Sequence, residues 1–300
     1  MSATTHKTTL STSDVARLFS VTETTVKRWA DDGALRCQKT PGGHRKFEIR
    51  NVVEFAEKNH FEPAGILAIP ANDRLARRIQ VAVLARDHAE LVAAFVEKAL
   101  SPDTTDLFLY ISYLYQHRVQ LWEIYDLIIR PGMEAVGERW AKGEIGVNHE
   151  HRASYETLEA LAGLQAQIHR RPPTGRSALC SCLEDDLHEI GLRCACYMFE
   201  SEGWTTTYLG ARTPHAAVMS AIREMRPDVV SISVSYIQEQ CVPLNELAEI
   251  VGAARRCEAR VVLGGRMARA MTPVAGLDAV LGSGRELQQY VETFGRDSGQ

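Results

Sequence analysis

Asp186-Leu187-His188-Glu189-Ile190-Gly191 is the segment best equipped to do chemistry. It follows a β-rich run, Ser177–Leu183, and opens a helical pattern over about 188–201. An imidazole in such a loop can point one ring nitrogen into the crevice at the end of a sheet and ligate a metal there. A carboxylate two residues earlier, Asp186, can accept a hydrogen bond from the other ring nitrogen, which fixes the tautomer and raises the ligand's basicity. Gly191 lets a bulky planar group approach the helix backbone. A second chemistry is offered by Cys180-Ser-Cys182 and Cys194-Ala-Cys196, four thiols in a set that can hold zinc. Alternation along a strand puts Cys180 and Cys182 on one face, whereas two positions on a helix diverge by ~200° for Cys194 and Cys196. Buried, reduced thiols are the simpler reading.

The elements around the loop change period along the chain. Short β-rich runs at Ser177–Leu183, Thr206–Leu209, Asp228–Val234, Arg260–Leu263 and Asp278–Leu281 alternate with helical patterns near 188–201, 214–225, 243–256 and 284–294. Such βα units imply a five-stranded parallel, doubly wound sheet that binds ligands at the carboxyl ends of its strands. Thr213-Pro214 reads as the cap of the second of these helices, and Gly203 as the residue just past the first. The middle of the chain has no strand-like alternation. Leu91, Val92, Phe95, Val96, Ala99 and Leu100 form one helical stripe, capped by Asp87 and ended by Ser101-Pro102. Helical pattern continues from Leu107 to Trp140, with Pro131 expected to begin a new helix, and a turn at Lys142–Gly146 precedes a last helix over about 147–169. This predicts a four- or five-helix bundle. The fold class expected is multidomain α and α/β: a DNA-binding unit at 1–60, a Pro/Gly-broken linker at 61–73, a helical bundle at 74–170 and the α/β domain at 177–300.

A chain of 300 residues with 45% hydrophobic and 24% charged residues is ordinary for a soluble protein and excludes disordered and collagen-like classes. No apolar run approaches the ~18 residues of a membrane span. Seven cysteines, an odd number at low density, argue against a disulfide framework, and Met1–Lys7 lacks the apolar stretch of a signal peptide, so the expected compartment is the cytoplasm. Residues 1–60 hold ten Lys/Arg against seven Asp/Glu, a local excess of +3 in a chain of net charge −4. That asymmetry fits a nucleic-acid-binding head on an acidic body.

The head carries the matching motif. A short helix, Ser13–Phe19, turns through Ser20-Val21-Thr22 into a second, Glu23–Asp32, with Thr22 as cap and Gly33 as stop. A second helix of this kind enters the major groove, where Thr24, Thr25, Lys27 and Arg28 would meet base edges and phosphates. Lys39–Phe47 reads as a hairpin wing presenting His44, Arg45 and Lys46, with Trp29 and Phe47 as core. Through Val15–Leu18, Thr24–Trp29 and Pro41–Phe47 the head resembles the MerR-type winged helix-turn-helix domain. The resemblance implies a dimer on a palindromic double-stranded operator.

Asp186-x-His188-x-x-Gly191 after a strand resembles the cobalamin-binding domain shared by methionine synthase, corrinoid proteins and mutases. In that family the histidine is the lower cobalt ligand and the cofactor's nucleotide tail threads into the sheet. Ser233 matches the family's serine after the third strand, although Ser235 departs from its leucine, and Gly264-Gly265 matches its glycine pair. A helical bundle in front of this domain resembles the cap over the corrin. Trp140 with Glu150-His151 matches an adenosyl pocket, the indole over the upper axial group and Glu150 and His151 toward ribose or adenine. All three parts in this order resemble the CarH/LitR family of cobalamin-dependent photoreceptor repressors. The resemblance implies adenosylcobalamin as chromophore, a ligand-dependent dimer or tetramer that binds DNA, and no enzymatic activity. The family's histidine after the tryptophan is Ala141 here. His149, His151 or water on the upper face stays open, as does a cobalamin sensor that does not use light. A corrinoid methyl carrier shares the last two parts but has no need of the first.

Overall fold

The computed structural model describes residues 9–19, 21–40, 42–59, 74–103, 105–236 and 243–294. The linker expected at 61–73 and Pro41 of the expected wing lie outside them. The chain divides into one compact unit of residues 1–119 and 127–156 and another of residues 120–126 and 157–300.

The first unit begins with β1 (Thr9–Ser11), α1 (Thr12–Leu18), α2 (Glu23–Asp31), β2 (Gln38–Lys39), β3 (Arg45–Glu48) and α3 (Ile49–Lys58). Ser11 starts α1 by trading hydrogen bonds with Asp14: its amide and hydroxyl reach the carboxylate at 2.9 and 2.7 Å, and its Oγ accepts the Asp14 amide at 3.2 Å. Thr22 caps α2 by accepting the Thr25 amide at 3.3 Å. The three strands pair antiparallel in the order β1-β3-β2, with Leu10 opposite Phe47 and Lys39 opposite Arg45. Gly43 turns the β2–β3 hairpin at φ +78°, a conformation that costs glycine little. Leu10, Val15, Phe19, Val26, Leu35, Phe47 and Phe55 form the core, with the Trp29 ring packed 4.9 Å from that of Phe55.

The helical segment follows as α4 (Arg74–Ala85), α5 (His88–Ala99), α6 (Thr105–Gln116), α7 (Leu121–Ile124), a π-helical turn Tyr125–Ile129, α8 (Arg130–Ala141) and α9 (Val147–Gln165). Val81 and Ala85 of α4 are buried in the same cluster as the N-terminal core. Pro131 falls in the first turn of α8, as the sequence predicts, but no break in the chain's helical path precedes it. α7, the π turn and α8 follow without a break, and Ile129 already has helical angles of −67° and −51°. Proline lacks the N–H that closes an α-turn and crowds the carbonyl four residues back; the wider π turn before it loosens that constraint. Asp87 caps α5, accepting the Glu90 amide at 3.1 Å. Gly132 of α8 lies so close to α5 that a Cβ there would fall 2.2 Å from a ring carbon of Phe95.

The second unit is built on β4 (Ser177–Cys182), α10 (Ile190–Ser201), β5 (Thr205–Gly210), α11 (His215–Met225), β6 (Val229–Ser233), α12 (Leu244–Arg256), β7 (Arg260–Gly264), β8 (Ala279–Val280) and α13 (Gly284–Thr293). All strands are parallel in the order β5-β4-β6-β7-β8. β6 is buried along its whole length, as a central strand covered on both faces must be. Its Val230 and Ile232 pack with Val261 and Leu263 of β7, Val218 and Ile222 of α11 and Leu247 and Ile250 of α12. Thr213 does not cap α11 as its sequence suggests. That position falls on Pro214, and the Thr213 hydroxyl donates back to the Leu209 and Gly210 carbonyls at 3.2 and 3.4 Å. The strand order reverses at β4, so the crevice of a doubly wound sheet opens between the carboxyl ends of β4 and β6.

Candidate functional site

Asp186 and His188 leave β4 directly into that crevice. Asp186 is 1% exposed and receives four hydrogen bonds. Its Oδ1 accepts the His188 amide at 2.9 Å and meets His188 Nδ1 at 3.0 Å; its Oδ2 accepts the Ser235 amide at 2.5 Å and the Tyr236 amide at 3.3 Å. Burial alone would raise the Asp186 pKa, but the His188 ring and the three amides outweigh it and hold the carboxyl below its ordinary 3.8. An ionised acceptor on the Nδ1 side places the ring proton there and turns the Nε2 lone pair outward. The His188 side chain is 60% exposed, with the Tyr236 ring 5.9 Å away, and the Cys182 thiol donates to the His188 carbonyl at 3.9 Å.

Around this pair, a Cβ at Gly191 would meet nothing within 4 Å, which leaves the first turn of α10 open to a planar group. Ser233 ends β6 opposite Cys182 of β4 and Gly264 of β7, and is buried. Gly264 is open at its Cβ position apart from the Leu281 carbonyl at 3.8 Å. Gly265 answers a constraint inside the fold: its φ is +98°, and a Cβ would lie 2.4 Å from the Val234 carbonyl oxygen. An anchored imidazole with an outward lone pair, beside backbone left bare by Gly191 and Gly264, fits a cobalt corrin approached from its lower face.

The helical residues lie in the first unit. Trp140, 50% exposed, stands one residue before the end of α8, and the turn Lys142–Gly146 leads to Glu150 and His151 in the first turns of α9. The Ser154 hydroxyl donates to Glu150 at 2.9 Å, and His151 Nε2 lies 3.6 Å from the same carboxylate. Val147 and Tyr155 add exposed apolar surface on α9.

In the N-terminal head, Thr24, Lys27 and Arg28 are exposed on α2, and Thr25 is half-buried with its hydroxyl 3.0 Å from that of Thr22. Lys27 pairs loosely with Glu23 at 3.8 Å. His44 and Lys46 flank Arg45, which turns onto the head itself: its guanidinium reaches both oxygens of Asp31 at 2.6 and 2.9 Å. Arg45 is the first cause that holds the Asp31 carboxyl below its usual range. An open groove of about 660 Å³ runs past Ser13, Lys27, Thr40, His44 and Lys46.

Cys180, Cys182, Cys194 and Cys196 are buried. Burial pushes the Cys182 thiol up to about 12 and raises that of Cys194 as well. Among the described residues, the donor atoms close enough together for a metal are those of Glu184, His215 and Glu246, at positions the sequence reading did not single out. No helix among the described residues is long and apolar enough to cross a membrane.

Residues 9–60 match the helix-turn-helix domain family, and residues 75–162 and 176–291 each match a B12 binding domain family. Fold and site thus define a DNA-binding-type head followed by two B12-binding domains. The chain is 25% identical over 234 residues to the HTH-type transcriptional repressor CarH of Myxococcus xanthus, covering 73% of this chain and 76% of that protein. It is 38% identical over 127 residues to the HTH-type transcriptional repressor CarA of the same organism, 42% of each chain. It is therefore a helix-turn-helix, cobalamin-binding protein homologous to the CarH and CarA repressors. The solved monomethylamine corrinoid protein of Methanosarcina barkeri shares its fold at a TM-score of 0.56 and 15% identity, over 69% of this chain and 99% of that one.

Proposed function

We propose that this chain is a non-enzymatic transcriptional regulator whose hold on operator DNA is set by cobalamin, adenosylcobalamin above all, and released by light. The observation that carries the reading is the Asp186–His188 pair at the switch point of the sheet, in a chain whose first domain is a helix-turn-helix. Asp186 holds Nδ1 of His188 by a hydrogen bond, which leaves Nε2 as the ring nitrogen that would ligate cobalt. Gly191, Ser233, Gly264 and Gly265 would leave room for the corrin ring and its nucleotide tail. Trp140, Glu150 and His151 would hold the cofactor's adenosyl group, the indole by apolar cover and the other two by hydrogen bonds. When bound, adenosylcobalamin supplies a cobalt–carbon bond that light breaks. Thr24, Thr25, Lys27 and Arg28 read the major groove, and His44 and Lys46 the flanking backbone, while Arg45 braces the wing against Asp31. A switch of this kind works only where the ligand favours one assembly over another, because each added subunit brings another head to the same operator. The similarity to the repressors CarH and CarA supports regulation over a methyl-carrier role, in which residues 9–60 have no task.

The test is sizing chromatography and operator binding of the adenosylcobalamin-loaded protein, in the dark and after green light. A larger, DNA-binding species in the dark that dissociates on illumination is expected. A profile blind to both cofactor and light contradicts the proposal. Ala141, where the family's histidine is missing, favours one other reading, a regulator responding to cobalamin itself. It predicts a cofactor-dependent profile that illumination leaves unchanged.

A further inference from the structure

We propose that Tyr208 is a positioning residue for His188, acting through Glu189. The proposal rests on the reading of His188 as a cobalt ligand and concerns what aims it. Leu187 and His188 are both exposed, so core packing does not fix them. Their direction comes from the residues on either side. Asp186 is tied by the Ser235 and Tyr236 amides to the end of β6. Glu189 is tied the opposite way: the hydroxyl of Tyr208, on β5, donates to its Oε2. Because β4 lies between β5 and β6, the loop leaving β4 is held from both neighbouring strands, with the imidazole between the two ties.

The Tyr208 tie is itself built. Arg193, one turn into α10, lies 3.5 Å from the centre of the Tyr208 ring and 3.9 Å from Glu189 Oε2. Gly210 leaves room on the other side, since a Cβ there would stand 3.1 Å from a ring carbon of Tyr208. Burial first, then the bond it donates to Glu189, raises the phenol well above its ordinary 10, so Tyr208 remains a donor at physiological pH. Asp186 is the partner that sequence spacing reveals; Tyr208 lies nineteen residues beyond Glu189 and is joined to it only by the fold.

The test uses the full-length protein loaded with cob(II)alamin and labelled with ¹⁵N-histidine. Electron paramagnetic resonance then reports whether a histidine nitrogen couples to cobalt. Wild type is expected to show that coupling and His188→Ala to lose it. Tyr208→Phe keeps the ring and the Arg193 stack, so its unfolding midpoint without cofactor should stay near wild type. Its coupled fraction should fall and cofactor dissociation rise roughly tenfold, the lower end of what outer partners of a metal ligand contribute. Glu189→Ala should do the same, and the double variant no more than either alone, since both remove one tie. Glu189→Gln, which keeps an acceptor for the hydroxyl, should recover most of the signal. Full coupling and wild-type affinity in both Tyr208→Phe and Glu189→Ala overturn the proposal while leaving His188 as ligand. Loss of both only in proportion to lost stability also overturns it. A wild type without ¹⁵N-sensitive coupling overturns the cobalt-ligand reading itself.

Discussion

Replacing Asp186 by asparagine preserves its shape and removes its charge, and the structure says what that costs. Oδ1 takes the His188 amide and ring nitrogen, and Oδ2 takes the Ser235 and Tyr236 amides. An amide side chain has one acceptor oxygen, so in either orientation at least one part-buried backbone donor faces an NH2 group, while a neutral His188 ring can shift its proton to Nε2 and accept at Nδ1. A donor left without a partner costs ~1–3 kcal/mol, and for these part-buried groups the loss is about 2 kcal/mol. For a unit of this size that lowers Tm by roughly 4–8 °C. The pH dependence follows from the depressed pKa. A carboxylate whose folded pKa lies below its unfolded one contributes its full stability above the unfolded value, about 3.9, and loses it as pH falls through the folded value. Urea unfolding of the cofactor-free protein should therefore show a gap between wild type and Asp186→Asn that is largest at pH 7 and narrows toward pH 3. Equal stability at pH 7, or a gap that does not close in acid, would refute the anchoring described here.

Two further outcomes test other parts of the molecule. Alanine normally improves a helix over glycine by about 1 kcal/mol, but Gly132→Ala drives a methyl into the buried Phe95 ring, so overpacking should win and lower stability by roughly 1–2 kcal/mol in thermal unfolding. Lys27 is exposed and only loosely paired, so Lys27→Ala should weaken binding to random-sequence duplex DNA and flatten the plot of log K against log salt by about 0.9; an unchanged slope would remove Lys27 from the phosphate contacts.

Much of this architecture is legible in residue order because its determinants are local. Thr22 with Thr25, Asp87 with Glu90, and the apolar runs of the parallel strands announce their elements within a few positions. The Asp186–His188 pair is legible for the same reason, its partners being two residues apart. What escapes is set by distance along the chain. The Ser235 and Tyr236 anchors of Asp186 are backbone amides, which every residue but proline has, so their side chains carry no sign of the task. Arg45 reads as a wing cation because nothing nearby in sequence shows Asp31 taking it. α4 reads as the first helix of the bundle, yet Ile79, Val81, Ala82 and Ala85 are buried around much of its circumference and two of them complete the core of the head. Pro131 marks the first turn of α8 as its ring demands, but the π turn that joins α7 to α8 without a break is not encoded by periodicity.

The central claim is that the imidazole of His188 holds cobalt from below. It is tested most directly by the dark absorption spectrum of purified protein saturated with adenosylcobalamin, wild type beside His188→Ala. A histidine-ligated spectrum is expected for the first and a spectrum without the histidine ligand, with weakened retention, for the second. Identical spectra and equal affinities would contradict it.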